Sequence, residues 1–429
     1  MRKLYFLSFL FFASCFSESN VEIGSGKTFI RYFNGGGRDE AIAFAETEDK
    51  GLIILANTSH IIDGLTSTSI KLIKTDEQGN KEWSKLYSPA NGSYEGSGLL
   101  VLPGNDGYVV VGEYLNSNLS QLLTIAIGTD GEKIPAKEKF YPATNQLRGR
   151  AIEAIKDDAG KVLSYFVLAE IINPTGPENM MLAEITHADL SISWTRKYGA
   201  GQTGELSVLN KLFTVASGKD AANKPIYKAV WAGNITRQGE SDMRIIKTTQ
   251  DRQNVDFDLQ IGNPGFNENA NGICRFGFGY ALTGSTNERP DGTVGPQDIL
   301  FQRLGEDGSV LSKQSFIIKS NVKNGELEVQ GNKTGNGLAV TQDGGLLLIG
   351  TVPSNEGLEF GRGKNDLYVI KMNAFGEVAW QKSIGSRDED VGVAALQASD
   401  GGYLLLGTSL FAGLETVLLI KTDNNGNIN

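Results

Sequence analysis

The chain is poor in the residues that most often build metal and redox sites. Its 429 residues include two cysteines, Cys15 and Cys274, and two histidines, His60 and His187. The histidines lie far apart in sequence and lack partner spacing, which argues against a zinc site or a histidine-based nucleophile triad. Enzymatic chemistry would have to rest on carboxylates, and no convincing carboxylate constellation stands out. We therefore expect a protein without a metal, without a cofactor and without catalytic residues.

The N-terminus lacks a hydrophobic run long enough to cross a membrane. Leu4–Phe12 has nine residues with Ser8 as its only polar member, and it follows Arg2 and Lys3. Nine residues rise about 14 Å as a helix, which is too short for a bilayer. The run therefore predicts an export signal and not a membrane anchor.

The residues after this run indicate how the exported chain is held. Phe12-Ala13-Ser14-Cys15 resembles the lipobox of bacterial lipoproteins. The resemblance implies that residues 1–14 are a signal peptide, that Cys15 is diacylated, and that residues 15–27 form a polar, flexible tether. Ordinary cleaved secretion and a cytosolic protein are the alternatives. A lipidated Cys15 cannot form a disulfide, and we expect Cys274 to be a small buried side chain.

Positive charge is also in deficit. The chain has 40 Lys and Arg against 50 Asp and Glu, a formal net charge of −10. This balance argues against a nucleic-acid partner and against electrostatic attachment to an anionic bilayer. Attachment to a membrane would therefore depend on the acyl chains at Cys15. The expected location is the outer membrane, on either its periplasmic or its surface side.

What the chain has in abundance is a repeat. A unit recurs about every 58 residues between Asp49 and Asp400, and several units share an Asp-Gly turn followed by an apolar run. Clear copies are Asp106–Gly112, Asp343–Gly350 and Asp400–Gly407. A second hairpin follows in each unit, so each unit has four strands, as a β-propeller blade requires.

The two ends of the array predict a closed ring. The seventh unit stops at Asp423–Asn429 before its last strand, whereas an extra strand, Phe29–Gly36, follows the leader. We predict an all-β, seven-bladed propeller over residues 28–429, in which the N-terminal strand completes the C-terminal blade. Six or eight blades and an open solenoid are the alternatives. The predicted blades are 37–87, 88–141, 142–199, 200–262, 263–317, 318–385, and 386–429 with 28–36.

The connections within each unit predict where binding takes place. The two hairpin turns are short, and the remaining connections are expected to be long, variable loops on one face of the disc. Variable loops on a rigid scaffold commonly carry function. The loops predicted within units are 57–69, 113–121, 171–179, 234–242, 285–298, 351–366 and 408–416, and the most conspicuous between units are 262–272 and 318–337.

Eight residues on this face are candidate binding residues. Asp39 and Asp390 each lie ten positions before an Asp-Gly turn, at equivalent places in the first and last units, with Arg38 beside Asp39. They would either form a paired acid site or tie the blade entrance to backbone amides. Aromatic and arginine side chains in the loops suit protein interfaces and sugar stacking. These are Tyr114, Arg289, Phe360, Arg362 and Phe411.

Two resemblances bear on the repeat. The spacing from Gly79 to Trp83 and from Gly376 to Trp380 is similar to the docking motif of quinoprotein propellers, in which a Trp packs between neighbouring blades. The whole of 28–429 resembles seven-bladed propellers with Asp-Gly-Gly-Tyr-type repeats, found in lipoproteins of the Bacteroidota. That resemblance implies a membrane-tethered extracytoplasmic domain without a defined activity.

Three functions follow as hypotheses. The first is a non-catalytic, lipid-anchored scaffold or accessory subunit that binds an outer-membrane protein complex through its loop-rich face. The second is a carbohydrate-binding or uptake accessory that uses loop aromatics such as Phe360 and Phe411. The third is a carboxylate-based hydrolase or lyase that uses Asp39 or Asp390.

Overall fold

The computed structural model describes residues 21–23, 28–62, 65–117, 119–141, 146–172, 179–198, 205–220, 225–322, 325–354 and 363–428. Within these ranges the chain forms 31 β-strands and one short 3₁₀ helix, Pro103–Asn105. None of the described residues belongs to a helix that is long and apolar enough to cross a membrane.

The strands form seven antiparallel blades, as predicted. The N-terminal strands are β1 (Val21–Ile23) and β2 (Phe29–Phe33). Blade 1 contains β3 (Arg38–Glu46), β4 (Leu52–Ile62), β5 (Leu65–Thr75) and β6 (Lys81–Tyr87). Blade 2 contains β7 (Ser93–Val101), β8 (Tyr108–Asn116), β9 (Leu119–Ile127) and β10 (Lys133–Tyr141). Blade 3 contains β11 (Gln146–Lys156), β12 (Val162–Ile172), β13 (Met180–Thr186) and β14 (Ile192–Tyr198).

The remaining blades follow the same order along the chain. Blade 4 contains β15 (Glu205–Lys219), β16 (Pro225–Arg237), β17 (Glu240–Thr248) and β18 (Val255–Ile261). Blade 5 contains β19 (Glu268–Phe276), β20 (Gly279–Glu288), β21 (Val294–Leu304) and β22 (Val310–Phe316). A separate hairpin, β23 (Lys319–Val322) and β24 (Gly325–Glu328), precedes blade 6. Blade 6 contains β25 (Thr334–Val340), β26 (Leu346–Pro353), β27 (Asn365–Met372) and β28 (Val378–Ile384). Blade 7 contains β29 (Asp390–Gln397), β30 (Tyr403–Phe411) and β31 (Leu414–Thr422).

The first strand of every blade lies nearest the axis. Each of these seven strands contacts the first strand of the next blade, and β29 of blade 7 contacts β3 of blade 1, so the contacts form a closed ring. The outer strands are the most exposed, as the pattern of β22 shows. A closed ring leaves no blade without a neighbour, which excludes the open solenoid.

The N-terminal strand closes the ring, as predicted. β2 pairs with β31, with Phe29 opposite Lys421 and Phe33 opposite Val417. Both phenylalanines are buried in the interface between blades 7 and 1. β1, which falls within the segment predicted as a tether, adds a fifth strand at the outer edge of this blade.

The hydrophobic core is divided among the blade interfaces. Seven clusters of buried apolar residues are present, and each combines side chains from two neighbouring blades. The middle strands are apolar on both faces because each blade has a neighbour on either side. In the interface of blades 6 and 7, for example, Ile349 packs with Leu405.

The face that carries the short turns is fixed by ion pairs and aromatic contacts. A buried lysine near the end of the third strand reaches the aspartate of the Asp-Gly turn in three blades; the pairs are Lys74–Asp49, Lys371–Asp343 and Lys421–Asp400. Trp83 packs on Gly131 of the next blade and Trp380 packs on Gly426, which are the interblade contacts that the Trp spacing predicts. We call this the turn face.

The opposite face differs from the prediction, and we call it the hairpin face. The connections at 113–121, 234–242 and 408–416 are not long loops, because strand pairing continues to Asn116 opposite Leu119, Arg237 opposite Glu240 and Phe411 opposite Leu414. Ala412 and Gly413 both have positive φ, at 53° and 82°, which is typical of a type I′ hairpin. Most of the residues predicted as loop therefore lie in paired strands. The prediction that these connections share one face is consistent with the meander topology.

Candidate functional site on the hairpin face

Exposed apolar side chains gather on the hairpins of three consecutive blades. We define the tip cluster by its four residues: Ile61 in blade 1, Leu115 and Leu119 in blade 2, and Leu414 in blade 7. Ile61 is 78% exposed and Leu119 is 51% exposed. Because each side chain lies at or beside a tight turn between paired strands, the backbone holds it away from the core. Exposed apolar groups on one face make it a candidate for a surface that another molecule covers.

Charged side chains lie on the inner strands of blades 1–3, close to the same face. We define the acid–arginine cluster by its six residues: Glu40, Glu95, Glu113, Arg148, Arg150 and Glu170. Glu95 lies directly opposite Glu113 on the neighbouring strand. Arg148 Nε donates to Glu113 Oε2 at 2.5 Å across the interface of blades 2 and 3, and Arg150 Nε donates to Glu170 Oε2 at 2.9 Å.

Two carboxyl groups of this cluster have raised pKa values. Burial raises the pKa of Glu40, and the carboxylates of Glu415 and Glu95 raise it further. Burial also raises the pKa of Glu95, the carboxylate of Glu113 adds to this effect, and neighbouring arginines oppose it. A nearby cation would stabilise the ionised form of a carboxyl group whose pKa is raised in this way. The lysine or arginine side chain of a partner would supply one.

Asp39 is not exposed to a ligand at the surface. Its side chain is fully buried, and Oδ2 accepts hydrogen bonds from Lys71 Nζ and from the Gly35 amide, both at 3.0 Å. Oδ1 accepts from Thr58 Oγ1 at 2.6 Å. The structure thus favours the alternative in which this acid ties the blade entrance to a backbone amide.

Asp390 occupies the equivalent position in blade 7 and is also fully buried. Its Oδ2 accepts a hydrogen bond from the Ser386 amide at 2.5 Å, which repeats the bond that Asp39 makes four residues upstream of itself. Burial raises the pKa of Tyr32, and the charge of Asp390 raises it further. With both aspartates in the interior, the paired acid site predicted at the surface is not formed there.

The two predicted arginines in the described residues make ion pairs. Arg38 Nη2 lies 2.5 Å from Glu415 Oε1 in blade 7, and its side chain is 67% exposed. Arg289 lies in the hairpin turn of blade 5, at 3.7 Å from Asp298 Oδ2, and its Nη2 donates to Glu328 at 2.5 Å. Arg38 is therefore accessible to a partner, whereas Arg289 fixes the β23–β24 hairpin to blade 5.

The predicted aromatic residues are only partly available. Tyr114 lies in β8 and packs edge-on against Tyr94, with ring centroids 5.6 Å apart. Phe411 stacks on Tyr32 with centroids 4.7 Å apart, so one face of its ring is covered. Phe360, Arg362 and the predicted lipidation site Cys15 lie outside the described residues.

Metal chemistry finds no support in the part of the chain that the structure describes. No group of three or more His, Cys, Asp or Glu side chains there is arranged to hold a metal ion. Burial raises the pKa of the Cys274 thiol to about 12, which disfavours its reactive thiolate form. His187 Nδ1 lies 2.5 Å from the Tyr165 hydroxyl, and the two side chains are hydrogen-bonded to each other.

The sequence interpretation missed the tip cluster and most of the acid–arginine cluster. A signal for the second was present, because Glu40 follows Asp39 and side chains alternate across a strand. Because Asp39 and Glu40 are neighbours in β3, their side chains lie on opposite faces of the strand. No comparable signal marked Ile61 or Leu119, since both were assigned to loops.

Comparisons with known proteins show the fold alone. No family model and no curated protein sequence matches the chain. Hydrazine synthase from Kuenenia stuttgartiensis is 12% identical, with a TM-score of 0.52, and the match covers 91% of this chain and 97% of that chain. The α-L-arabinofuranosidase Arb93A from Fusarium graminearum is 12% identical, with a TM-score of 0.48, over 95% and 98% of the two chains. A Trypanosoma rangeli sialidase is 10% identical, with a TM-score of 0.39, over 94% of this chain and 59% of that chain. Several of the neighbours are thus glycosidases or sialidase-like proteins, at identities that establish no shared activity.

Proposed function

We propose that the protein is a non-catalytic, lipid-anchored propeller that binds a protein partner of the outer membrane through its hairpin face. One observation supports the proposal: the tip cluster and Val21, the first residue of β1, lie on the same side of the ring. β1 runs antiparallel to β2, with Val21 opposite Tyr32 and Ile23 opposite Ile30. Since β2 runs towards the hairpin face, β1 runs away from it, and its first residue, Val21, lies at the end of the strand nearer that face.

The tether length would hold this face near the membrane. Cys15 lies six positions before Val21, so a fully extended tether reaches at most about 21 Å. The strand that receives the tether belongs to blade 7, which also presents Leu414 of the tip cluster. Acyl chains on Cys15 would therefore orient blades 7, 1 and 2 towards the bilayer surface.

A protein partner fits this face better than lipid alone. The same face carries the apolar tips, carboxyl groups with raised pKa values and exposed Arg38, a combination of apolar anchors and paired charges that is usual at protein interfaces. Carboxylates facing anionic headgroups would repel them. The protein would then resemble other propeller lipoproteins of the Bacteroidota, on either side of the outer membrane.

The test is affinity purification of the full-length lipidated protein from its native membrane after mild crosslinking, with mass spectrometry of the co-eluting proteins. We expect a stoichiometric outer-membrane protein. The triple variant Ile61→Asp, Leu119→Asp, Leu414→Asp should remain in the membrane but lose this partner.

A matched control is available on the other side of the ring. Phe278 and Phe375 lie on the turn face and are 91% and 75% exposed. The double variant Phe278→Asp, Phe375→Asp should retain the partner. Recovery of the wild-type protein alone, or equal loss in both variants, would refute docking through the hairpin face.

A further inference from the structure

A cavity of about 610 Å³ lies between blades 4 and 5, away from the tip cluster. Its walls come from β17, β18 and the segment after β18 on one side, and from β22 and the turn before it on the other. Gln302 and Glu268 also line it, and both are almost fully buried. The volume lies within the range of small-molecule sites in proteins.

The outer strand of blade 4 departs from the repeat at the cavity. Leu259 takes a position at which the other six blades have a long polar side chain; by the strand register these are Lys85, Lys139, Arg196, Gln314, Lys382 and Arg31. Lys382 Nζ, for example, donates to Asn427 Oδ1 of the next blade at 2.5 Å. Leu259 cannot make such a bond and is shorter, so space remains beside it.

A second departure follows two residues later in the same strand. Ile261 stands where blades 1, 2 and 3 end their outer strand with a tyrosine. Each of these tyrosines donates a hydrogen bond to a turn carbonyl of the next blade; Tyr87 reaches Gly131 O at 2.7 Å, for example. Ile261 spans less of the gap and makes no such bond. Blade 6 has an isoleucine, Ile384, at the same position, so the combination of Leu259 with Ile261 is what distinguishes blade 4.

Gln302 breaks the repeat from the other side. The same register places it at a position occupied elsewhere by apolar residues of the blade interfaces: Ile73, Ile125, Ala183, Ile246, Ile370 and Ile420. Gln302 is 1% exposed, and its Oε1 has no hydrogen-bond partner among the described residues. A buried polar group without a partner destabilises a fold. A glutamine here, where isoleucine fits the repeat, calls for a polar partner within the cavity.

The charged groups beside Gln302 already satisfy one another. Lys313 Nζ lies 2.8 Å from Glu268 Oε1 and also pairs with Glu288. Glu268 also accepts weak hydrogen bonds from the Asn263 amide. A charged ligand would have to displace these partners and leave one of them buried and unpaired. A neutral ligand would not.

We propose that this cavity binds a small, neutral, polyhydroxylated ligand of the size of a mono- or disaccharide. Hydroxyl groups of the ligand would form hydrogen bonds with the side-chain amide of Gln302. A hydroxyl group both donates and accepts, as the amide does. The aliphatic side chains of Met243, Leu259 and Val310 would cover the C–H face of a sugar ring. The site is separate from the hairpin face, so its test does not depend on the proposed partner.

The test uses the full-length protein in a detergent without a sugar headgroup. Glucose, galactose, mannose, N-acetylglucosamine and maltose are each titrated at millimolar concentration, and saturation-transfer NMR reports binding. We expect saturable binding of at least one sugar. Gln302→Ile, which restores the residue of five other blades, should lose at least tenfold in affinity while its melting temperature stays equal or rises.

Two further variants show whether a loss of affinity is specific to the cavity or follows from any substitution in the same region. Gln314→Ile changes an exposed glutamine of the neighbouring strand and should leave affinity unchanged. Leu259→Arg restores a long side chain and should fill the cavity, so that binding is lost in a folded protein. Absence of saturable binding of every sugar to the wild type, or unchanged affinity in Gln302→Ile and Leu259→Arg, would overturn the proposal.

Discussion

Lys71 and Asp39 form an ion pair inside blade 1, with Nζ 3.0 Å from Oδ2 and side chains 3% and 0% exposed. Arg38, the neighbour of Asp39, pairs instead with Glu415 in contact with solvent. Two adjacent residues thus make ion pairs in opposite environments. Breaking the buried pair should lower the free energy of unfolding more than breaking the exposed pair, because a buried charge that loses its partner cannot recover hydration.

Replacement of Lys71 by methionine should strongly destabilise the propeller. The Asp39 carboxylate would remain buried with two of its three hydrogen bonds, at a cost of about 3–5 kcal/mol. Arg38→Met, which breaks the exposed pair, should cost less than about 1 kcal/mol. Urea unfolding of both variants measures the difference. Equal losses would mean that the Lys71–Asp39 pair is hydrated in solution.

The pH dependence of stability should contain a contribution from Glu153. Burial raises the pKa of Glu153 to about 7, although Lys211 and Lys156 oppose the shift. Between the unfolded pKa of about 4.3 and the folded value, the native state binds more protons, so stability falls as pH rises.

Glu153→Gln should remove that loss. We expect unfolding free energies equal to the wild type at pH 4 and higher by on the order of 2 kcal/mol at pH 8. Urea midpoints at the two pH values provide the measurement. A variant that is less stable than the wild type at pH 8 would show that the ionised carboxylate has a favourable partner.

The contact of Trp380 with Gly426 should be sensitive to a single methyl group. A Cβ at Gly426 would lie 2.7 Å from the Trp380 ring, and the residue has a φ of 73°. Gly401 has a φ of 89° and no atom within 4 Å of a built Cβ, so it is a matched control.

Gly401→Ala should cost about 1–2 kcal/mol through backbone strain alone. Gly426→Ala should cost about 1–3 kcal/mol more, because overpacking adds to the same strain. Thermal unfolding of the two variants isolates the blade contact. If both variants unfold at the same temperature, the Trp380 ring moves aside without cost.

Ring closure should depend on the two phenylalanines of β2. Phe29→Ala and Phe33→Ala each remove a buried ring from the interface of blades 7 and 1, at an expected cost of about 3–5 kcal/mol. Limited proteolysis should then cut first in blade 7. Phe278→Ala, on the exposed turn of blade 5, should change stability by less than about 0.5 kcal/mol. First cleavage in another blade would indicate that closure is not the weakest link.

The architecture was predictable because the sequence pattern of one blade recurs several times along the chain. The Asp-Gly turns at Asp106, Asp343 and Asp400 fix the period, and Phe29–Gly36 supplies the missing strand. Each copy confirms the others, so a weak unit such as blade 4 is located by its neighbours. The predicted limits of the other blades agree with the sheets to within a few residues, but blade 6 was predicted to begin at 318, whereas its sheet begins at Thr334 after the separate β23–β24 hairpin.

The candidate site was predicted less well, for a physical reason. A polar stretch such as 113–121 has the composition of a loop, yet backbone pairing continues through it as far as Asn116 and Leu119. Asp39 and Asp390 were correctly identified as equivalent, but sequence does not reveal that Lys71 or the Ser386 amide lies beside them. The role of Gln302 became visible only when the strand register aligned it with six apolar residues.

The pairing of β2 with β31 also determines when, during synthesis of the chain, the ring can close. Phe29 is synthesised long before its partner Lys421, because almost the whole propeller separates the two residues in sequence. Blades 1–6 consist of consecutive strands and can assemble in order of synthesis, but β2 must wait as an unpaired edge until the final strand arrives. Such a contact between distant parts of the chain is slow to form. A chain interrupted before Leu414 would therefore keep two open edges, and would be prone to association with other chains instead of closing on itself.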